Sequence, residues 1–270
     1  MQRSAPIGVF DSGVGGLTVL RELRASMPGE DFIYLGDTAR LPYGTKSAET
    51  VARYSLQCTQ RLVECDIRAL VIACNTASAS ALSALRARHP ALPIFGVIEP
   101  GAAAAIAASR SQHIAVIATQ ATVDDGAYER AILAVAPAAR VSSKTCALFV
   151  AMAEEGWVDG PIATAVAHRY LDALFAAPNA PDTLVLGCTH FPLLLGAIRA
   201  ALPPGVSIVD SAATTARSVH TALSTTATQP ADVRGEVRWL ATDGAARFAN
   251  IGARFLGETI YASQVEIVDL

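Results

Sequence analysis

Charge is scarce in this chain. Asp, Glu, Lys and Arg make up 17% of 270 residues, against ~25% in an ordinary soluble domain. The net charge of −3 leaves no electrostatic footprint for nucleic acid. No run of ~18 or more consecutive apolar residues occurs, so no transmembrane span or membrane partner is expected. The opening MQRSAPIGVFDSG lacks the long apolar stretch of a secretory signal, and the expected compartment is the cytoplasm. Cys58, Cys65, Cys74, Cys146 and Cys188 form an odd set without C-x-x-C spacing. That argues against a disulfide framework and against a metal site, and free thiols fit a reducing environment. No low-complexity linker interrupts the chain.

What is present is apolar material and a repeating order. The chain is 52% apolar with mean hydropathy +0.37, enough for one large core or two smaller ones. Short β-rich runs alternate with helical patterns. Pro6–Phe10 precedes Leu17–Ser26, Phe32–Leu35 precedes Lys46–Cys65, Ala69–Ala73 precedes Ala77–His89, and Ile94–Val97 precedes Gly101–Ser109. Further on, Ile114–Ala118 precedes Asp124–Val135, Thr183–Leu186 precedes Phe191–Leu202, and Val206–Val209 precedes Ala213–Leu223. Val237–Ala241 and Val265–Val268 close the series. This order predicts parallel α/β architecture, with strands covered on both faces. Breaks at Glu99-Pro100-Gly101 and Leu202-Pro203-Pro204-Gly205 suggest two crossovers. The expected units are residues 1–98 with 208–270, and residues 99–207.

Two words carry the chemistry: Ala73-Cys74-Asn75-Thr76 and Gly187-Cys188-Thr189-His190. Each puts a thiol after a strand-like run and before a helix-like one. Ligands of open parallel sheets bind at such strand ends, and a helix N-terminus favours a thiolate. The matching contexts suggest a duplicated role, two acid/base groups facing one substrate from opposite sides. Asn75, Thr76, Thr189 and His190 add donors suited to a carboxylate. Cys58 and Cys65 read as buried apolar residues, and Cys146 as structural. His89, His113, His168 and His220 lack such neighbours and read as surface or packing residues; Trp157 and Trp239 read as packing or interface anchors.

The turn Gly8-Val9-Phe10-Asp11-Ser12-Gly13-Val14-Gly15-Gly16 presents Asp11 and Ser12 at a strand end. It fails as a dinucleotide fingerprint, because Thr18 stands where the third glycine belongs, and it lacks the P-loop lysine. Asp11 could instead cap the next helix. Leu41-Pro42-Tyr43-Gly44-Thr45 alone is an ordinary turn.

Together these words resemble the glutamate racemases of the aspartate/glutamate racemase superfamily. The matching segments are IGVFDSGVGGLTVLREL, YLGDTARLPYGTKS, VIACNTASA, GVIEPG, LFVAMAEEG, LGCTHFPLL and VDSA, in order from Ile7 to Ala212. The resemblance implies two α/β domains related by a pseudo-two-fold, with the active site between them. It implies interconversion of L- and D-glutamate without a cofactor, supplying D-glutamate for peptidoglycan. On this resemblance the catalytic cysteines fall on Cys74 and Cys188, with Asp11, His190 and Glu154 assisting and Glu155 as the adjacent alternative. Substrate contacts fall on Asp11, Ser12, Pro42, Tyr43, Gly44, Asn75, Thr76, Thr189 and His190. Asp11 either relays protons or binds the substrate ammonium.

There are two departures. Ala118-Thr119-Gln120-Ala121-Thr122 replaces the usual Gly-Thr start, leaving Thr119 and Thr122 both open, and Cys146-Ala147 replaces Cys-Pro. The alternatives are a racemase of aspartate or another amino acid, and a non-catalytic amino-acid-binding protein on the same fold. A redox or metal thiol protein is disfavoured by the isolated cysteines. Outer faces of Ala-rich helices such as Gly101–Ser109 offer a surface for a homodimer.

Overall fold

The computed structural model describes residues 4–223 and 234–270. Strands β1 (Ile7–Asp11), β2 (Phe32–Gly36), β3 (Ala69–Ile72) and β4 (Ile94–Gly96) come first. Next are β5 (His113–Ala118), β6 (Arg140–Thr145), β7 (Thr183–Gly187) and β8 (Ser207–Asp210), and then β9 (Val237–Ala241) and β10 (Val265–Ile267). IGVFD, FIYLG, ALVI and TLVLG are buried at every position. Such unbroken runs suit parallel strands with helices on both faces, and every strand pair is parallel.

Two sheets result, ordered β10-β9-β2-β1-β3-β4 and β6-β5-β7-β8. Four consecutive strands of the first, β2-β1-β3-β4, repeat in the second with each number raised by four. The direction of winding reverses between β1 and β3, and again between β5 and β7. Those reversals are the places where open parallel sheets form ligand crevices at their strand ends.

Helices fill the connections: α1 (Leu17–Ser26), α2 (Ala48–Val63), α3 (Asn75–Arg88), α4 (Ile98–Ala108), α5 (Gln120–Asp125) and α6 (Ala127–Val135). They continue with α7 (Leu148–Glu155), α8 (Gly160–Phe175), α9 (Leu195–Ala200), α10 (Ser211–Leu223) and α11 (Ala245–Leu256). Helix α10 packs on both α1 and α4 and so ties the halves together. Among the described residues no helix is long and apolar enough to cross a membrane.

The alternation read from sequence is present, with differences of physical origin. The single helix expected over Asp124–Val135 is two, α5 and α6, divided at Gly126 with φ 72°, a conformation glycine adopts without a Cβ clash. The helix expected from Phe191 opens as a 3-10 turn, Phe191–Leu194, with Pro192 in its first turn. Strand β6 and helices α7, α8 and α11 were not anticipated. β6 reads RVSSKT and has no fully buried position; pairing with β5 along its whole length makes it a strand. α8 buries Ala163, Ala167, Leu171 and Phe175, a stripe half alanine and therefore weak as a hydrophobic signal.

Candidate active site

The cysteine words occupy equivalent places in the two sheets. Cys74 follows β3 and caps α3, its Sγ accepting from Ala77 N at 3.5 Å. Cys188 follows β7, the corresponding strand of the second sheet. Both line one cavity of about 310 Å³ between the halves. Ser12, Pro42, Tyr43, Gly44, Asn75, Thr76, Glu154, Thr189 and His190 also line it. The halves approach closely here: a Cβ on Gly15 would collide with Thr189 and His190, and Thr18 Oγ1 donates to the Thr189 carbonyl at 3.1 Å.

Asp11 stands apart from that lining. It is 1% exposed and is not part of the cavity wall. Its Oδ2 accepts from Gly13 N at 2.9 Å, closing the turn, while Oδ1 is buried without a protein partner. Burial raises the Asp11 pKa, against the opposing effects of His190 and the N–H groups of Gly16, Gly13 and Ser12. Cys74 Sγ donates to Ser12 Oγ at 3.5 Å. Burial, and then the charge of Asp11, pushes the Cys74 thiol up to about 12. This side of the cavity holds a neutral thiol backed by a carboxyl that resists ionisation.

Around Cys188 the groups are charged. His190 Nδ1 lies 3.8 Å from Cys188 Sγ, and His190 Nε2 lies 3.3 Å from Glu154 Oε1. Glu154 Oε2 accepts from Arg247 of α11 at 3.1 Å. Burial alone would lower the His190 pKa. Hydrogen bonds to Cys188 and Glu154, with the charges of Cys188 and Asp11, outweigh it and push His190 up to about 10. The His190 hydrogen bond holds Glu154 below the usual range despite its burial, and Arg247 adds to the effect. At neutral pH Cys188 therefore faces an imidazolium paired with a carboxylate.

Three hydroxyls cross the cleft. Thr76 Oγ1 lies 3.0 Å from Thr119 Oγ1 and 3.1 Å from Thr122 Oγ1, and the last two are 3.0 Å apart. Thr119 lines the cavity, and Thr122 stands behind it. Likewise Glu154, and not Glu155, is on the wall. Among the described residues no group of three or more His, Cys, Asp and Glu could hold a metal ion.

Other residues that shape the site were not singled out by sequence. The Tyr43 hydroxyl donates to buried Asp37. Asp37 also accepts from Arg40 Nε at 2.7 Å and from Thr242 Oγ1 at 3.0 Å. The Pro42–Gly44 loop is thus anchored through the Tyr43 hydroxyl, which is taken up by Asp37. The spacing of Asp37, Arg40 and Tyr43 at three-residue steps was the only available signal. Arg247 and Tyr128 reach the site across 93 and 53 residues, beyond any local pattern.

The Asp/Glu/hydantoin racemase family model matches residues 14–219. A glutamate racemase of Geobacter metallireducens is 50% identical over 252 residues, which is 93% of this chain and 92% of that protein. The crystal structure of a glutamate racemase isoform from Bacillus anthracis matches with TM-score 0.92 at 36% identity, covering 100% of this chain and 99% of that one. The crystal structure of the Francisella tularensis glutamate racemase in complex with D-glutamate matches with TM-score 0.90 at 36% identity, covering 98% and 97%.

Proposed function

The chain belongs to the Asp/Glu/hydantoin racemase family and, within it, to the glutamate racemases, and from that premise we propose that it interconverts L- and D-glutamate by proton transfer between Cα and two cysteines. The observation that carries the two-thiol scheme is that Cys74 and Cys188, at equivalent strand ends, line one cavity. Racemisation takes the α-proton from one face of Cα and returns a proton to the other. A single base serves both faces of a fixed substrate poorly; two bases need no substrate rotation.

In each turnover one cysteine enters as thiolate and the other as thiol. The thiolate takes the α-proton, and the electron pair left on Cα is delocalised into the carboxylate. The opposite thiol then delivers its proton to the other face. Product leaves with the two protonation states exchanged. Asp11 behind Cys74 and His190 beside Cys188 move protons to and from the sulfurs. The position of Asp11 behind the wall favours this role over direct contact with the substrate ammonium. Asn75, Thr76 and Thr189 supply donors to the α-carboxylate, where charge develops in the transition state. Ser12 and the Pro42–Gly44 loop receive the rest of the substrate. The scheme uses only groups of this chain.

The same proposal includes D-glutamate supply for peptidoglycan in the cytoplasm, which rests on the family resemblance. A homodimer on the Ala-rich helix α4 would use outward residues such as Ala103 and Ala107, since its inner side packs on α6 and α10. The division into residues 1–98 with 208–270, and 99–207, is likewise proposed. Keeping β8 with its sheet moves the second crossing past Asp210.

The test is incubation with L-glutamate in deuterated water without added cofactor, with L-aspartate in parallel. Loss of optical rotation with deuterium entering the D product is expected for glutamate. Racemisation of aspartate alone would shift the assignment to the other substrate, and exchange with neither would overturn it.

A further inference from the structure

We propose that Tyr128 is a positioning residue, whose hydroxyl fixes the Asn75 side chain so that its amide Nδ2 is reserved for the substrate carboxylate. The proposal rests on glutamate binding in the cavity described above. Tyr128 opens α6 in the second half, Asn75 opens α3 in the first, and Tyr128 is not on the cavity wall. The Tyr128 hydroxyl donates to Asn75 Oδ1 at 2.7 Å. Asn75 is 3% exposed and lines the cavity, yet its Nδ2 is buried with no protein partner.

A buried donor left unpaired costs free energy, and native structures rarely tolerate one without a reason. The two ends of an amide are nearly equal in shape and opposite in hydrogen bonding. Its partner therefore decides which end remains for a ligand. With Oδ1 taken by a phenol, the end left over is the donor. An ionised carboxylate is acceptor-only, so the leftover end matches an α-carboxylate. A flipped amide would set Oδ1 against that carboxylate and repel it. The phenol stays a donor: burial raises its pKa well out of the working range, with Ser211 opposing and Asp210 and Cys188 reinforcing. Its ring is seated against Gly187 of β7 and Gly101 of α4, so the hydroxyl has little freedom to leave.

The experiment is a double-mutant cycle. Binding of racemic glutamate, whose composition turnover does not change, is measured by calorimetry for wild type, Tyr128→Phe, Asn75→Ala and the double variant. Asn75→Ala should raise Kd about tenfold or more, as for a lost hydrogen bond to a charged group. Tyr128→Phe should raise Kd about threefold to tenfold in the wild-type background and leave it unchanged in the Asn75→Ala background. Equal loss in both backgrounds, or no loss in either, would overturn the assignment. If Tyr128→Phe does not fold, the wild-type protein still decides. The Asn75 side-chain amide resonances, identified by their absence in Asn75→Ala, should shift on adding racemic glutamate, and an unmoved pair would overturn the proposal. Turnover measured on the same samples separates the two readings. A coupled cycle without racemisation counts against the reaction alone. Racemisation with an additive cycle counts against Tyr128 alone.

Discussion

Cys74 and Cys188 end the same strand of the same four-strand order, yet their neighbourhoods share little beyond sulfur. Behind Cys74 stands Asp11, a carboxyl whose pKa burial raises. Beside Cys188 stands His190, an imidazole raised to about 10 by its partners and linked through Glu154 to Arg247 at the surface. One half backs its thiol with a buried carboxyl whose pKa is raised, the other with an ion-paired chain. A repeated frame has thus been fitted with two different sets of titratable neighbours. Under the proposed scheme the two thiols exchange protonation states in every turnover, so each set of neighbours has to serve both a thiol and a thiolate.

The largest test of this comparison removes the sulfurs. Cys74→Ala and Cys188→Ala should each lower racemisation by about 10³-fold or more, at the upper range for acid/base groups. Polarimetry measures it. Near wild-type turnover in either variant would break the two-base scheme and leave the symmetry of the frame without a chemical purpose.

Replacing the relays should sharpen the asymmetry. Asp11→Asn and His190→Asn should each slow turnover by about tenfold to a hundredfold, below the loss of a thiol. The equilibrium constant of a racemase is unity, so kcat/KM must fall equally in both directions. The asymmetry appears instead in the α-deuterium isotope effect. In His190→Asn it should grow in the direction in which Cys188 abstracts the proton and shrink in the other; Asp11→Asn should show the reverse.

Stability should move with opposite signs. The folded pKa of Asp11 is raised, so its ionisation opposes folding above the unfolded value near ~3.9. Asp11→Asn should therefore raise Tm at pH 7, with the gain vanishing in acid. The folded pKa of His190 is also raised, to about 10, but here the charged form is the one stabilised. Its contribution is full below the unfolded value of ~6.5 and is lost as pH rises through the folded one. His190→Asn should lower Tm at pH 7, and the difference should close in strong base. A few degrees either way is the expected size, at about 2–4 °C per kcal/mol for a chain of this length. Shifts of the same sign would mean that the two relays are electrostatically alike.

The comparison also shows what the sequence made legible. Strand ends bearing Cys74 and Cys188 could be read because buried parallel strands are continuous apolar runs, and because the residues after them sit where ligands bind. The equivalence of β3 and β7 could be suspected from the two similar words, but strand order is a non-local property. Edge strand β6 escaped because RVSSKT has no buried run. Glu154 was named through a resemblance and could not have been found from its own helix. Its partners His190 and Arg247 lie 36 and 93 residues away. Which of Thr119 and Thr122 lines the cavity was likewise not legible locally, since both hydroxyls reach Thr76.

Arg247 gives the smallest effect and the finest test. Its side chain is 65% exposed, so its ion pair with Glu154 is screened and worth about 0–1 kcal/mol. Glu154 keeps its His190 hydrogen bond without it, and its carbonyl still accepts from Arg254 at 2.7 Å. Arg247→Ala should therefore lower kcat by no more than about fivefold. Salt should mimic the variant, because the screening length falls from ~10 Å at 0.1 M to ~3 Å at 1 M. Wild type and Asp11→Asn should lose the same modest fraction of activity in high salt, whereas Arg247→Ala should lose none. An Arg247→Ala defect as large as that of His190→Asn would mean that the outer ion pair sets the orientation of the whole chain behind Cys188. The two sides of the cleft would then differ in reach as well as in charge, one relay closed within the core and the other governed from the surface.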